Sequence, residues 1–284
     1  MHIKWKALVN LTCLILVSLL LTTVTAQPEA SNQLEFVWVS KKVARIQERI
    51  PLSDSWGVSG AYYRVNVYAV KTRGGVVLVD CGDDDLAGEL LQLVEMEFRK
   101  PVLAVYLTHY HSDHAGGGAY LQSQGIPIYS PSIEAPLIAQ GGQLGETPPE
   151  FTYPPYTPDG VYGEIELFKW FKVVEEPGHT LGNVALEYRH GRTRYLFSSD
   201  TLLHGEEYED PLDMTWEVTY GTAYQNYLQS PQLYHLQLAT LTQMVETLPA
   251  YDYVLTGHGR IISGEEAAIR ALYTIGILQS FQAP

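Results

Sequence analysis

Residues 108–117 read THYHSDHAGG, placing three imidazoles and a carboxylate within six positions directly after the apolar run VLAVYL at 102–107. A short, nearly unbroken apolar run predicts a strand covered on both faces, so the cluster falls at a strand end. On extended backbone the side chains alternate with period two, which aims His109 and His111 the same way. A turn into helix then aims Asp113 and His114 at a second point nearby. Four candidate ligands face one pocket. Imidazole with carboxylate suits zinc, and iron or manganese are compatible with the same donors. Gly116, Gly117 and Gly118 keep the neighbouring backbone bare, which admits an ion or a substrate closely.

More ligand-type residues stand in turns after later predicted strands: His179 in PGHT, Asp200 in SSDT and His258 in TGHG. These turns and the first cluster use five of the nine histidines. Of the others, His2 lies near the N-terminus, His190 sits in the hairpin turn RHGR, and His235 belongs to a helical pattern. His204 is close enough in sequence to Asp200 to be a candidate for lining the site from behind the ligands.

The first 26 residues differ from the rest. A basic start (MHIKWK), an apolar stretch and the small residues Val24-Thr25-Ala26 predict a cleaved export signal and a secreted or periplasmic protein. A retained N-terminal membrane anchor is the competing reading, although Asn10, Thr12 and Ser18 interrupt the apolar stretch. Cleavage removes Lys4 and Lys6 and no acid, so the formal charge moves from −14 to −16. Such an acidic chain repels polyanions and argues against a nucleic-acid partner; after cleavage no stable membrane partner is expected. Cys13 leaves with the signal and Cys81 stays alone, so no internal disulfide forms. Stability must come from packing or metal, and 284 residues that are 46% hydrophobic suffice for a large core, read as one domain over 27–284.

Strand and helix signals alternate along that domain. YYRVNVYAV at 62–70 and VVLV at 76–79 predict a hairpin through Arg73-Gly74-Gly75. Asp83, Asp84 and Asp85 are expected to cap a helix with its apolar face at Leu86, Leu90, Val94 and Phe98. Further strands are predicted at 126–129, 167–174, 184–188 and 194–198, with helices near 119, over 225–248 and over 264–280. Residues 141–163 are rich in Pro, Gly and Tyr and predict a loop. Its stretch FTYPPYTPDG (151–160) reads either as an aromatic lid over an apolar substrate or as a surface loop. Neither of the two last helices offers a partner site. A sheet-rich centre covered by helices on both outer faces fits this order.

The ordered set His109-Tyr-His111-Ser-Asp113-His114, His179, Asp200 and His258 resembles the five-part metal signature of the metallo-β-lactamase superfamily. That resemblance implies an α+β fold, an αββα sandwich with two central mixed sheets, and two zinc ions at one edge. By position His109, His111 and His179 would hold the first ion, Asp113, His114 and His258 the second, and Asp200 would bridge them. Asp80, in LVDCG, resembles the family's aspartate that steadies the ligands, which leaves Cys81 as a small buried residue. It also implies an exported hydrolase in which hydroxide held by the metals cleaves an ester, lactone or amide bond, a β-lactam included, in a small-molecule substrate. Asp113 would orient that hydroxide and pass a proton to the leaving group.

The resemblance leaves the substrate open. In the β-lactamase sub-type with a bridging cysteine, a lysine three residues later grips the substrate carboxylate. Asp200 and Leu203 occupy those positions here, which argues against that sub-type alone. Glyoxalase II-like thioesterases share the bridging aspartate, and an iron-binding redox member of the superfamily would use the same ligands. A non-catalytic role is the weakest rival, since a bland scaffold has no need of seven ligand-type residues.

Overall fold

The computed structural model describes residues 33–54, 57–142, 151–162, 171–202, 210–216, 218–219 and 230–280. The expected export signal, His204 and Leu203 lie outside the described residues. Residues 33–284 form one compact unit. Among the described residues no helix is long and apolar enough to cross a membrane.

Two sheets organise this unit. The first contains β1 (Leu34–Trp38), β2 (Val43–Pro51), β3 (Tyr62–Lys71), β4 (Val76–Val79), β5 (Val102–Tyr106), β6 (Ile128–Ser130) and β7 (Gly160–Val161), ordered in space as in sequence. The first four strands pair antiparallel, and β4 to β7 pair parallel. Parallel neighbours need crossovers. Helix α1 (Ala87–Phe98) provides one between β4 and β5, and the short α2 (Ser112–Ala115) and α3 (Gly118–Ser123) provide the next. After β6 comes the single turn α4 (Ala135–Ile138). The second sheet is built from β8 (Phe171–Glu175), β9 (Val184–His190), β10 (Thr193–Ser199) and β11 (Tyr253–Thr256), in the order β11-β10-β9-β8. Only β10 and β11 are parallel there, joined by the crossover α5 (Pro231–Thr247); α6 (Gly264–Ser280) closes the fold.

Burial divides the core into three layers. On one outer face Leu90, Val94 and Phe98 of α1, four residues apart, pack on Ile46, Leu78 and Val105. Between the sheets, Tyr68, Val79 and Tyr106 meet Phe171, Leu186 and Phe197. The rings there meet edge to face, with centroids 5.4 Å apart for Tyr68 and Phe197 and 5.3 Å for Tyr106 and Phe171. On the other outer face Leu241 and Met244 of α5 and Ala267 and Ala271 of α6 cover Leu196 and Val254. The layers read helix, sheet, sheet, helix, which is the αββα sandwich.

Three local expectations need correction. Strands β1 and β2 have no counterpart in the sequence reading because Arg45, Gln47, Glu48 and Arg49 break the apolar pattern of β2. Gln47 and Glu48 are nonetheless buried, since each finds a polar partner: Gln47 donates to Asn66 (3.0 Å) and Glu48 accepts from the Asp83 amide (2.9 Å). The aspartates at 83–85 do not cap α1, whose N-cap is Leu86 without a side-chain bond; Asp83 accepts instead from the Asp85 amide at 3.1 Å. Within 151–160, Tyr153 and Tyr156 are neither lid nor surface: both are buried in the α1 layer, and β7 follows them.

Leu186 is fully buried where the two sheets meet. Leu186→Ala is expected to lower the unfolding free energy by about 2–5 kcal/mol in a urea titration with unchanged slope. A loss below about 1 kcal/mol would show that the two sheets collapse onto the gap.

Candidate metal centre

Strands of both sheets end at one edge, and the turns that follow them carry the ligand-type residues. His109 and His111 follow β5, His179 follows β8, Asp200 follows β10 and His258 follows β11. His111 is the N-cap of α2, and its carbonyl accepts the amides of His114 (3.0 Å) and Ala115 (2.8 Å). That turn swings Asp113 and His114 back toward the strand ends. Two groups result: His109, His111, His179 and Asp200, and next to it Asp113, His114 and His258. Within each, one donor atom per residue lies within 4.8 Å of the others. Asp200 touches both groups. Its Oδ2 is 3.3 Å from Nε2 of His179 and of His258, and its Oδ1 is 3.3 Å from Nε2 of His114.

The rings are aimed from behind. His114 donates from Nδ1 to Asp80 Oδ2 at 2.8 Å, and His258 donates from Nδ1 to the Arg64 carbonyl at 2.5 Å. Because a carboxylate or carbonyl only accepts, both protons sit on Nδ1 and both Nε2 atoms face inward. Nδ1 of His109 is 3.1 Å from the hydroxyls of Thr108 and Ser199. Asp80 also accepts the Thr108 amide at 2.7 Å, so one carboxylate fixes β4, the ligand turn and His114 together. Asp80 and Ser199 hold left-handed backbone, with φ of 61° and 48°.

Strand β3 places the last ligand. The Asn66 side chain donates to the carbonyls of Thr256 (3.0 Å) and Gly259 (2.9 Å), and the Tyr68 hydroxyl donates to Thr256 at 2.7 Å. Gly257 is obligatory in that turn, because a Cβ there would strike the Asp200 carboxylate.

The donor set fits a divalent cation. Nδ1 of His111 lies 3.0 Å from Nε2 of His109 and 2.9 Å from Nε2 of His179, so three ring nitrogens converge with few protons to share. His114 Nε2 and Asp200 Oδ1 are buried with no hydrogen-bond partner. Burial, with neighbouring imidazoles, holds His109 far below the usual range, and burial puts His111 at about 4 and His179 at about 3. These three are neutral at pH 7, the form that binds metal. Burial also opposes charge on His114 and His258, but Asp200 and Asp113 outweigh it and raise both. Asp200 is buried too, yet His258, His114 and His179 hold it well below the carboxylate range.

All seven candidate ligands and Asp80 therefore meet at this edge, while His190 and His235 join neither group. Cys81 is buried with its thiol pushed well up by burial, and its Sγ lies 3.3 Å from the His114 carbonyl. The supports Thr108, Ser199, Asn66, Glu134, Tyr153, Tyr156 and Tyr162 were not anticipated. The three tyrosine hydroxyls donate to the carbonyls of Tyr110 (2.7 Å), Ala115 (2.8 Å) and Leu107 (2.7 Å), bracing the ligand turn along its length. Only the richness in Tyr of 151–162 hinted at this.

An αββα sandwich with paired His/Asp clusters at one sheet edge defines a class of metal-binding folds. Residues 62–258 match the profile of the metallo-beta-lactamase superfamily, and the chain belongs to that superfamily. It is 39% identical over 85 residues to a metallo-beta-lactamase type 2 of Bacillus cereus, covering 30% of this chain and 33% of the relative. It is 31% identical over 137 residues to a hydroxyacylglutathione hydrolase of Nitrosomonas eutropha, covering 48% and 46%. The chain thus spans between a third and a half of the length of these curated relatives. A solved metallo-beta-lactamase from Pontibacter korlensis superposes with a TM-score of 0.63 at 20% identity, covering 88% of this chain and all of that one, a likeness of fold.

Asp80→Ala strips the acceptor from three buried donors, the Thr108 amide and hydroxyl and His114 Nδ1. Chelator-treated protein is expected to lose on the order of 1–3 kcal/mol of stability for each donor left unpaired, read by urea unfolding. Nitrogen-15 NMR should show His114 losing its Nδ1–H preference; an unchanged tautomer would contradict this orienting role.

Proposed function

We propose that this chain is an exported, zinc-dependent hydrolase that cleaves an ester, lactone or amide bond, a β-lactam included, in a small molecule. The observation that carries the reading is the Asp200 carboxylate, which touches His179 of one group and His114 and His258 of the other, the arrangement two neighbouring cations require. His109, His111 and His179 would hold one ion, Asp113, His114 and His258 the other, with Asp200 shared. Zinc at such sites lowers the pKa of water toward neutrality and polarises the bond under attack. Asp113 is the carboxylate of the cluster most open to solvent, at 13% against 5% for Asp200, with Oδ2 3.4 Å from His258 Nε2. There the Asp113 carboxylate would take a proton from the attacking water and pass it to the departing oxygen or nitrogen. The relatives named as a β-lactamase and as a hydroxyacylglutathione hydrolase support a hydrolytic reaction. Export rests on the pattern of residues 1–26.

Elemental analysis of the mature protein is expected to find two zinc per chain, and nitrocefin, lactone and ester panels should show turnover that a chelator abolishes. Asp113→Ala should cut kcat by about 10²–10⁴-fold; unchanged turnover with metal content intact would rule out Asp113 as the proton carrier. Turnover indifferent to chelator, or iron in place of zinc, would sink the reading.

A further inference from the structure

Glu134 is a buried carboxylate that the proposed chemistry does not use. It stands at the N-cap of α4, 1% exposed, in the stretch SPSIEAPLI. Its Oε1 accepts from the Thr180 hydroxyl at 2.9 Å and from the Gly182 amide at 2.7 Å, and its Oε2 accepts from the Tyr110 amide at 3.1 Å. Tyr110 separates His109 from His111, and Thr180 directly follows His179. One side chain therefore spans the two turns that supply all three histidines of the first group. Gly182 is shaped for it: a Cβ there would lie 2.5 Å from Glu134 Oε1 and 2.8 Å from the Ile133 Cβ.

All three donors to Glu134 are neutral. A buried carboxylate served only by neutral donors is costly unless positive charge lies nearby. A glutamine would keep the shape at lower cost but would turn an amide donor against one of the N–H groups. An aspartate, one methylene shorter, would not reach both turns.

We infer that Glu134 is a positioning residue for the first cation: it sets the spacing of His109 and His111 against His179, and its charge strengthens the hold of that trio on a divalent ion. The inference rests on the metal-centre reading above.

The test titrates zinc and cobalt into chelator-stripped, full-length mature protein against a competing indicator, with cobalt absorption as a second readout. Glu134→Gln is expected to weaken the first ion by about 10–100-fold and to shift the cobalt spectrum. Thermal melting of the stripped proteins reports separately on folding. Thr180→Val should weaken the ion by a smaller factor, and Thr180→Ser should restore it; this pair decides the matter if Glu134→Gln does not fold. Zinc affinities within about twofold of wild type, with an unchanged cobalt spectrum, overturn the inference alone. Wild-type protein that binds neither ion overturns the metal-centre reading and this inference with it.

Discussion

The Asp200 carboxylate, wedged among three histidine nitrogens at 3.3 Å, is the contact on which the site depends. Five imidazoles, four of them buried, and two carboxylates together hold more lone pairs than protons, and such a cluster is stable only if something positive joins it. In the chain alone burial opposes charge on His114 and His258, and Asp200 and Asp113 outweigh it and raise the proton affinity of both. A divalent cation supplies positive charge with directed bonds, which turns an electrostatic liability into binding free energy.

Everything around the cluster resists its relaxing into ordinary hydrogen bonds. Asp80 holds His114, a β3 carbonyl holds His258, and hydroxyls of Thr108 and Ser199 hold His109. The strained backbone at Asp80 and Ser199 is sustained by the same bonds, since both side chains are committed to the ligand turn. The sandwich contributes the rigid edge: strands packed on both faces fix where each turn begins.

The ligands were legible because their chemistry is contiguous or set in turns rich in Gly and Pro, where a histidine has little structural reason to be. Helix α1 was legible from apolar spacing. Strand β2 was not, because the polar residues that hide its pattern are buried for the sake of partners elsewhere, Gln47 for Asn66 and Glu48 for the Asp83 amide. Tyr153 and Tyr156 misled for the same reason: a proline-rich aromatic stretch resembles surface until its hydroxyls are seen to satisfy carbonyls of the ligand turn. Glu134 left no local signal at all, since its three donors come from turns distant in sequence.

The clamp of Asn66 on the turn around His258 ties one of the earliest strands to one of the latest. Contacts between such distant parts of the chain form late and slowly, because a long loop must close before they are rewarded. A nascent chain therefore carries the first histidine group before it can complete the second. Assembly of the paired site is in this way a report that β11 and the turn after it have arrived, and a chain cut short of β11 keeps its early ligands without the one that completes the pair.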